Sequence, residues 1–177
     1  MSEIVLVKPT MEYADQIMEM SQEIREANDR DAFAGCCWLE DYETAGDWIA
    51  HLERRENPET CPEGSVSSSV YLAIRKPDNR LVGIIDLRHH IDHPVLGVWG
   101  GHMGYTVRPD ERGKGYAKEM LRLNLQNCKD RGLKKVMVTC HPWNGASEKT
   151  ILAKGGFYEK SVMADGEEIK RYWIILD

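Results

Sequence analysis

The run Arg112-Gly113-Lys114-Gly115-Tyr116-Ala117 constrains this chain more than any other. A strand-like segment precedes it and ends at Val107-Arg108-Pro109. An amphipathic stretch from Tyr116 to Arg131 follows, with Ala117, Met120, Leu121, Leu125 and Cys128 recurring at helical spacing. Gly132 supplies its stop. Two glycines let the backbone turn tightly and expose its amides. The helix start adds unpaired N–H groups and the positive end of a dipole. Together these make an anion site suited to a phosphate, with Arg112 and Lys114 adding charge at its rim. The spacing is neither that of a P-loop nor that of a dinucleotide fingerprint. Taken alone, the run also suits a helix start that needed only a tight turn.

The rest of the chain reads as alternating strands and helices. Ile4–Val7 is β-branched and apolar and predicts a strand, and Thr10 offers an N-cap to a helix from Met11 to about Ala27. Ala32 to Glu40 is irregular. Tyr42 to Glu56 predicts a second helix with Trp48, Ile49 and Leu52 on one face, and Asn57 to Ser69 is a long loop. Val70–Arg75 and Leu81–Leu87 form a hairpin about Pro77-Asp78-Asn79. His89 to Gly101 is a loop, and His102–Val107 a strand. Lys135–Cys140 has the unbroken apolar character of a buried strand. Ala146–Lys154 is a short helix, and Phe157–Met163 and Ile169–Leu176 close the chain as a hairpin about Asp165-Gly166. The sum is one α/β domain over residues 1–177, with a mixed sheet.

These elements resemble the GNAT (GCN5-related N-acetyltransferase) superfamily. The family loop Q/R-x-x-G-x-G/A is matched by Arg112, Gly115 and Ala117, after Met103-Gly104-Tyr105-Thr106-Val107-Arg108-Pro109. Downstream, Val136-Met137-Val138-Thr139-Cys140 is followed by Asn144, Ser147, a short helix and Gly156-Phe157. The resemblance implies a mostly antiparallel twisted sheet of about seven strands flanked by about four helices. It also implies that the strand ending at Val107 splays from the strand ending at Cys140. Acetyl-coenzyme A would then be held by Tyr105, Thr106, Val107, Arg112, Gly113, Lys114, Gly115, Tyr116, Ala117, Asn144 and Ser147. Pantetheine would pair with free backbone groups of Tyr105–Val107, one of which polarises the thioester carbonyl. An amine attacks directly, with no metal and no covalent enzyme intermediate. A homodimer is common in the family and is left open here.

Catalytic candidates follow from position. A base is needed to deprotonate the amine. Family members often carry a glutamate at the start of the fourth strand, where this chain has His102. Asp86, at the end of the preceding strand, reaches toward the same cleft, as do His89 and His90. The tyrosine that often protonates the leaving thiolate is replaced by Leu152, and Tyr158 is the nearest alternative. Each candidate also has a structural reading: His102 as a hydrogen-bonded residue beside a bulge, Tyr158 as a sheet residue. Cys140 reads as packing rather than nucleophile, and Trp99 as a residue of the acceptor side. Two other functions remain open. One is an acyl-coenzyme A-binding module without turnover; the other is a metal site on His89-His90-Ile91-Asp92-His93, whose loop context argues against ligation.

Composition narrows the partners. The net charge of -6 argues against a broad nucleic-acid surface and suits a cationic acceptor, a small-molecule or peptide amine. No apolar run is long enough to span a bilayer and the start lacks a secretory pattern, so a cytoplasmic protein away from the membrane is expected. Five cysteines without a C-x-x-C pair disfavour a disulfide framework and a structural zinc site.

Overall fold

Arg80–Arg88 is buried along nearly its whole length, so apolar layers must cover both of its faces. In the computed structural model, which describes residues 2–177, it is the third strand, β3, of a four-stranded antiparallel sheet. Its companions are β1 (Ile4–Val7), β2 (Ser68–Arg75) and β4 (Tyr105–Val107), in the order β1-β2-β3-β4. A second antiparallel sheet has the order β5-β7-β6, from β5 (Lys135–Cys140), β6 (Phe157–Ala164) and β7 (Glu167–Ile175). The described residues hold four α-helices: α1 (Ala14–Ala27), α2 (Ala45–Glu56), α3 (Tyr116–Asp130) and α4 (Gly145–Ala153).

Alternation along the strands sorts the core into two layers. Leu72, Ile74 and Ile84 pack with Ile17, Met20 and Ile24 of α1 and Trp48 of α2. Ala73, Ile85 and Leu87 pack on the opposite face with Met120, Leu121 and Cys128 of α3 and Val136 and Val138 of β5. The indole N–H of Trp48 donates to the Cys36 carbonyl at 3.0 Å, which satisfies its one polar group and fixes the chain leaving α1. Arg108, just after β4, is 2% exposed and ties that strand to α1. Its guanidinium donates to both Glu23 carboxylate oxygens, at 2.8 and 2.7 Å, and to the Leu81 carbonyl at 3.2 Å.

The expected architecture is present, with local corrections. Thr10 does not cap α1 through its side chain; a 3-10 turn over Met11–Tyr13 intervenes and α1 begins at Ala14. Thr44 caps α2, accepting from the Asp47 N–H at 3.2 Å, so that helix starts three residues after Tyr42. The loop after β3 contains a π-helical turn over Leu96–Gly100 that apolar periodicity does not reveal. The fourth strand is regular only over Tyr105–Val107, because the His102 N–H turns to β5 while its carbonyl stays bonded to β3. Among the described residues, no helix is long and apolar enough to cross a membrane.

Candidate active site

One residue joins the two sheets. The His102 N–H donates to the Met137 carbonyl at 2.8 Å, and the Met137 N–H donates back to His102 Nδ1 at 2.9 Å. The Arg88 N–H also donates to the His102 carbonyl, at 2.7 Å. Beyond this clamp β4 and β5 part and no ladder bonds connect them. Gly104 and Arg108 bond to β3 through Asp86 and Val82. Antiparallel alternation therefore turns the amides of Tyr105 and Val107 toward the gap.

The gap widens into a cavity of about 940 Å³ that reaches the glycine run. Arg112, Gly113, Gly115, Tyr116 and Ala117 line it. Gly115 is the N-cap of α3, with φ 87° and no side-chain cap, so the first-turn N–H groups of α3 stay free for an outside acceptor. No atom lies within 4 Å of where a Cβ would stand on Gly113 or Gly115. Lys114 instead donates to Glu111 at 2.8 Å. Burial works to raise the Glu111 pKa, but Lys114 and Arg75 overcome it and hold the carboxylate below its usual range. Arg112 pairs with Asp29, on the loop after α1.

On the opposite wall, Asn144 caps α4 and accepts from the Ser147 N–H at 3.1 Å. The Ser147 hydroxyl meets the Tyr105 hydroxyl at 2.8 Å, which bridges α4 to β4. Burial, only partly offset by the Ser147 bond, pushes the Tyr105 pKa up to about 12, so it remains a hydrogen-bond donor at neutral pH. Both Asn144 and Ser147 line the cavity. Thr106 turns its hydroxyl elsewhere, to the carbonyls of Ala34 at 2.6 Å and Ala32 at 3.3 Å.

The catalytic candidates are not gathered at one point. His102 is buried between the sheets with Nδ1 committed to Met137. Asp86 is buried too, accepting from the Gly104 N–H at 2.6 Å and pairing with Arg88 at 2.8 Å. Tyr158 lies on the sheet formed by β6 and β7, 51% exposed, with its hydroxyl on Ser161. Leu152 is exposed on α4. His89 is held between the Ser67 and Ser69 hydroxyls, at 2.8 and 2.9 Å, and His93 is bonded to Gly64. No group of three metal-ligating side chains gathers among the described residues. Cys140 and Trp99 both line the cavity. Sequence reasoning missed Asp31, Arg88, His141 and Trp143, which complete the cavity wall. The crowding of Asn28-Asp29-Arg30-Asp31 was the available signal for the first of them.

Two of these imidazoles make the fold acid-sensitive. Burial, then Arg88 and His90, lowers the His102 pKa to about 4. Burial and Arg131 lower that of half-buried His89 to about 4. Both folded values lie below the unfolded 6.5, so between the two the unfolded chain binds more protons and stability falls as pH falls. Asp86 opposes this, because burial raises its pKa and its protonation relieves a cost. The urea midpoint is expected to drop between pH 6.5 and 4, as stability falls by at most about 1.4 kcal/mol per pH unit for buried His102 and by less for half-buried His89. A midpoint that stays level over that window in both wild type and Asp86→Asn would mean these rings are protonated in the fold.

Comparison with known proteins places this geometry. Residues 4–157 match the family model described as an acetyltransferase (GNAT) domain. Among solved structures, a ribosomal L7/L12 alpha-N-protein acetyltransferase in complex with coenzyme A superposes with a TM-score of 0.68 at 15% identity, covering 100% of this chain and 96% of its own. The microcin C7 self-immunity acetyltransferase MccE, in complex with acetyl-CoA and AMP, gives 0.66 at 18% identity, with 99% and 93% covered. Mutant forms of the spermidine/spermine N-acetyltransferase SpeG from Vibrio cholerae give 0.67 at 14%, with 99% and 95% covered. No curated protein sequence matches.

Proposed function

Because this chain belongs to the GNAT acetyltransferase family, we propose that it moves an acetyl group from acetyl-coenzyme A to a primary amine of a small molecule or peptide. The observation that carries this reading is the meeting of the glycine run and the parted strands in one cavity. The pyrophosphate would sit on the free amides at the start of α3, beside Arg112, Gly113 and Gly115, with Lys114 at the rim. Tyr105 and Val107 would offer their backbone to the pantetheine arm, and Asn144 and Ser147 would face it from α4. One of the amides directed at the gap would polarise the thioester carbonyl. The Tyr105 and Ser147 hydroxyls, already paired, supply a proton donor for the thiolate where the usual tyrosine is Leu152. His102 and Asp86 position β4 rather than move protons, since His102 Nδ1 accepts from the Met137 N–H of β5 and Asp86 accepts from the Gly104 N–H and the Arg88 guanidinium. The names of two similar structures, one acting on a protein α-amine and one on spermidine and spermine, support an amine acceptor.

Acetyl-coenzyme A at about 100 times its dissociation constant should stabilise the protein by ~2.7 kcal/mol. For a chain of this length that is a rise in melting temperature of roughly 5–11 °C. ATP and NAD should not reproduce it. Gly115→Val places a β-branched side chain at φ 87° and covers the free amides. It should cost about 1–2 kcal/mol without ligand and lose most of the acetyl-coenzyme A shift. An undiminished shift in that variant would rule out the pyrophosphate site. Protection without transfer to any amine would favour an acyl-coenzyme A-binding module, the reading that the leucine at 152 suggests.

A further inference from the structure

A second cavity, of about 670 Å³, adjoins the first, and Trp38, Glu40, Arg55 and Ser68 are among the residues that line it. The two share a wall of Asp31, Ala32, Ala34, Gly35, Arg88 and Leu96. A molecule occupying both must therefore pass the two charged groups of that wall, Asp31 and Arg88. Arg88 is paired with Asp86. The other carboxylates nearby are also engaged: Asp29 by Arg112, and Glu111 by Arg75, Arg80 and Lys114. The Asp31 carboxylate receives no hydrogen bond or ion pair among the described residues.

Its loop is nevertheless fixed. The Ala34 carbonyl accepts from Thr106 at 2.6 Å, and Gly35 lies directly against the Gly104 backbone, so the loop is pinned to β4 where that strand borders the gap. The charged groups facing Asp31 are His141 after β5, Arg88 on β3 and Glu167 on β7. Asp31 itself is exposed at the junction, where an acceptor can reach it; the surrounding walls still raise its pKa by desolvation, more than His141 and Arg88 lower it, and Glu167 adds to the rise. A raised pKa makes the carboxylate a better proton acceptor from an ammonium group. The second cavity is lined by an acidic side chain, Glu40, and a basic one, Arg55. A body carrying both donors and acceptors, as a peptide does, suits that pair; a purely cationic polyamine suits only the first.

We propose that Asp31 is the general base of the transfer and that the acceptor is a peptide-type amine, its ammonium group at the junction and its body in the second cavity. This rests on the acetyl-coenzyme A reading above. Asp31 takes one proton from R–NH3+. The freed lone pair forms the C–N bond at the thioester carbonyl and the C–S bond breaks. The nitrogen gives up its second proton as the amide forms, and the departing thiolate takes up one. The proton on Asp31 returns to solvent, so that R–NH3+ and acetyl-coenzyme A yield the amide, free coenzyme A and H+.

The test uses amidated tripeptides with free N-termini as acceptors, thiol release from pH 6 to 9, and the acetyl-coenzyme A melting shift in parallel. Asp31→Asn should lower kcat by about 100-fold or more and flatten the acid limb of the pH profile. It should leave the melting shift intact, and Asp31→Glu should restore part of the rate. Wild-type kcat and profile in Asp31→Asn would overturn the assignment. So would loss of its melting shift, or loss of the acid limb in His141→Gln alone. A wild-type protein that shows the shift but acetylates none of the peptides overturns this inference and leaves the coenzyme reading standing. Absence of any shift removes both.

Discussion

Replacing Arg108 by alanine will destabilise the protein by about 3 kcal/mol, roughly a 6–12 °C fall in melting temperature. The guanidinium is almost fully enclosed, and its loss strips both oxygens of Glu23 and the Leu81 carbonyl of their donors at once. A buried acceptor without a partner costs about 1–3 kcal/mol. The Glu23 side chain is 33% exposed and recovers some water, which places the effect at the low end of the range for broken buried pairs. Arg108→Met fills much of the volume but still orphans Glu23, and combining it with Glu23→Gln should recover part of the loss. Urea unfolding of the three variants provides the comparison. A single variant within about 1 kcal/mol of wild type would show that the tie between α1 and the end of β4 is not structural.

One methyl group at Gly35 will cost acetyl transfer about 100-fold. A Cβ there would lie 2.2 Å from the Gly104 oxygen and 2.8 Å from the Tyr105 nitrogen, distances that only displacement can relieve. The atoms that must move are backbone on both sides: the loop carrying Asp31, or the strand whose amides face the gap. Restoring ordinary contact takes a shift on the order of 1 Å, the scale at which a misplaced catalytic group loses two decades of rate. Gly35 also has φ +74°, so Gly35→Ala carries a conformational cost besides. Gly64→Ala is the control, because Gly64 has φ +78° and open space around it. It should share the conformational cost and keep its kcat. Equal rates in the two variants would detach the Gly35 contact from catalysis.

Much of this was readable before any coordinates, for identifiable reasons. The glycine run announced itself because few uses of the backbone need two glycines at a helix start, and Gly113 and Gly115 do both take positive φ. The strands showed through their β-branched runs, and β5 through its lack of alternation. What stayed hidden depended on contacts distant in sequence. His102 looked like a candidate base because it stands where family members often carry a glutamate, but its partner Met137 is 35 residues away. Asp31 sits in a stretch with no periodicity, and contacts distant in sequence, among them those to Thr106 and Gly104, bring it to the cavity. The π-helical turn over Leu96–Gly100 escaped notice because five residues are too few to display a period.

The clamp at His102 also acts as a fulcrum. At about 3.3 Å per residue, Val107 stands roughly 17 Å along the strand from it. A rotation of only about 5° at that pivot would sweep the far end through about 1.5 Å over such an arm. The aperture between the sheets is therefore set at one imidazole and magnified where the glycine run begins. Altering how that ring is seated should change the protein's grip on the coenzyme, from a point that lies off the cavity wall.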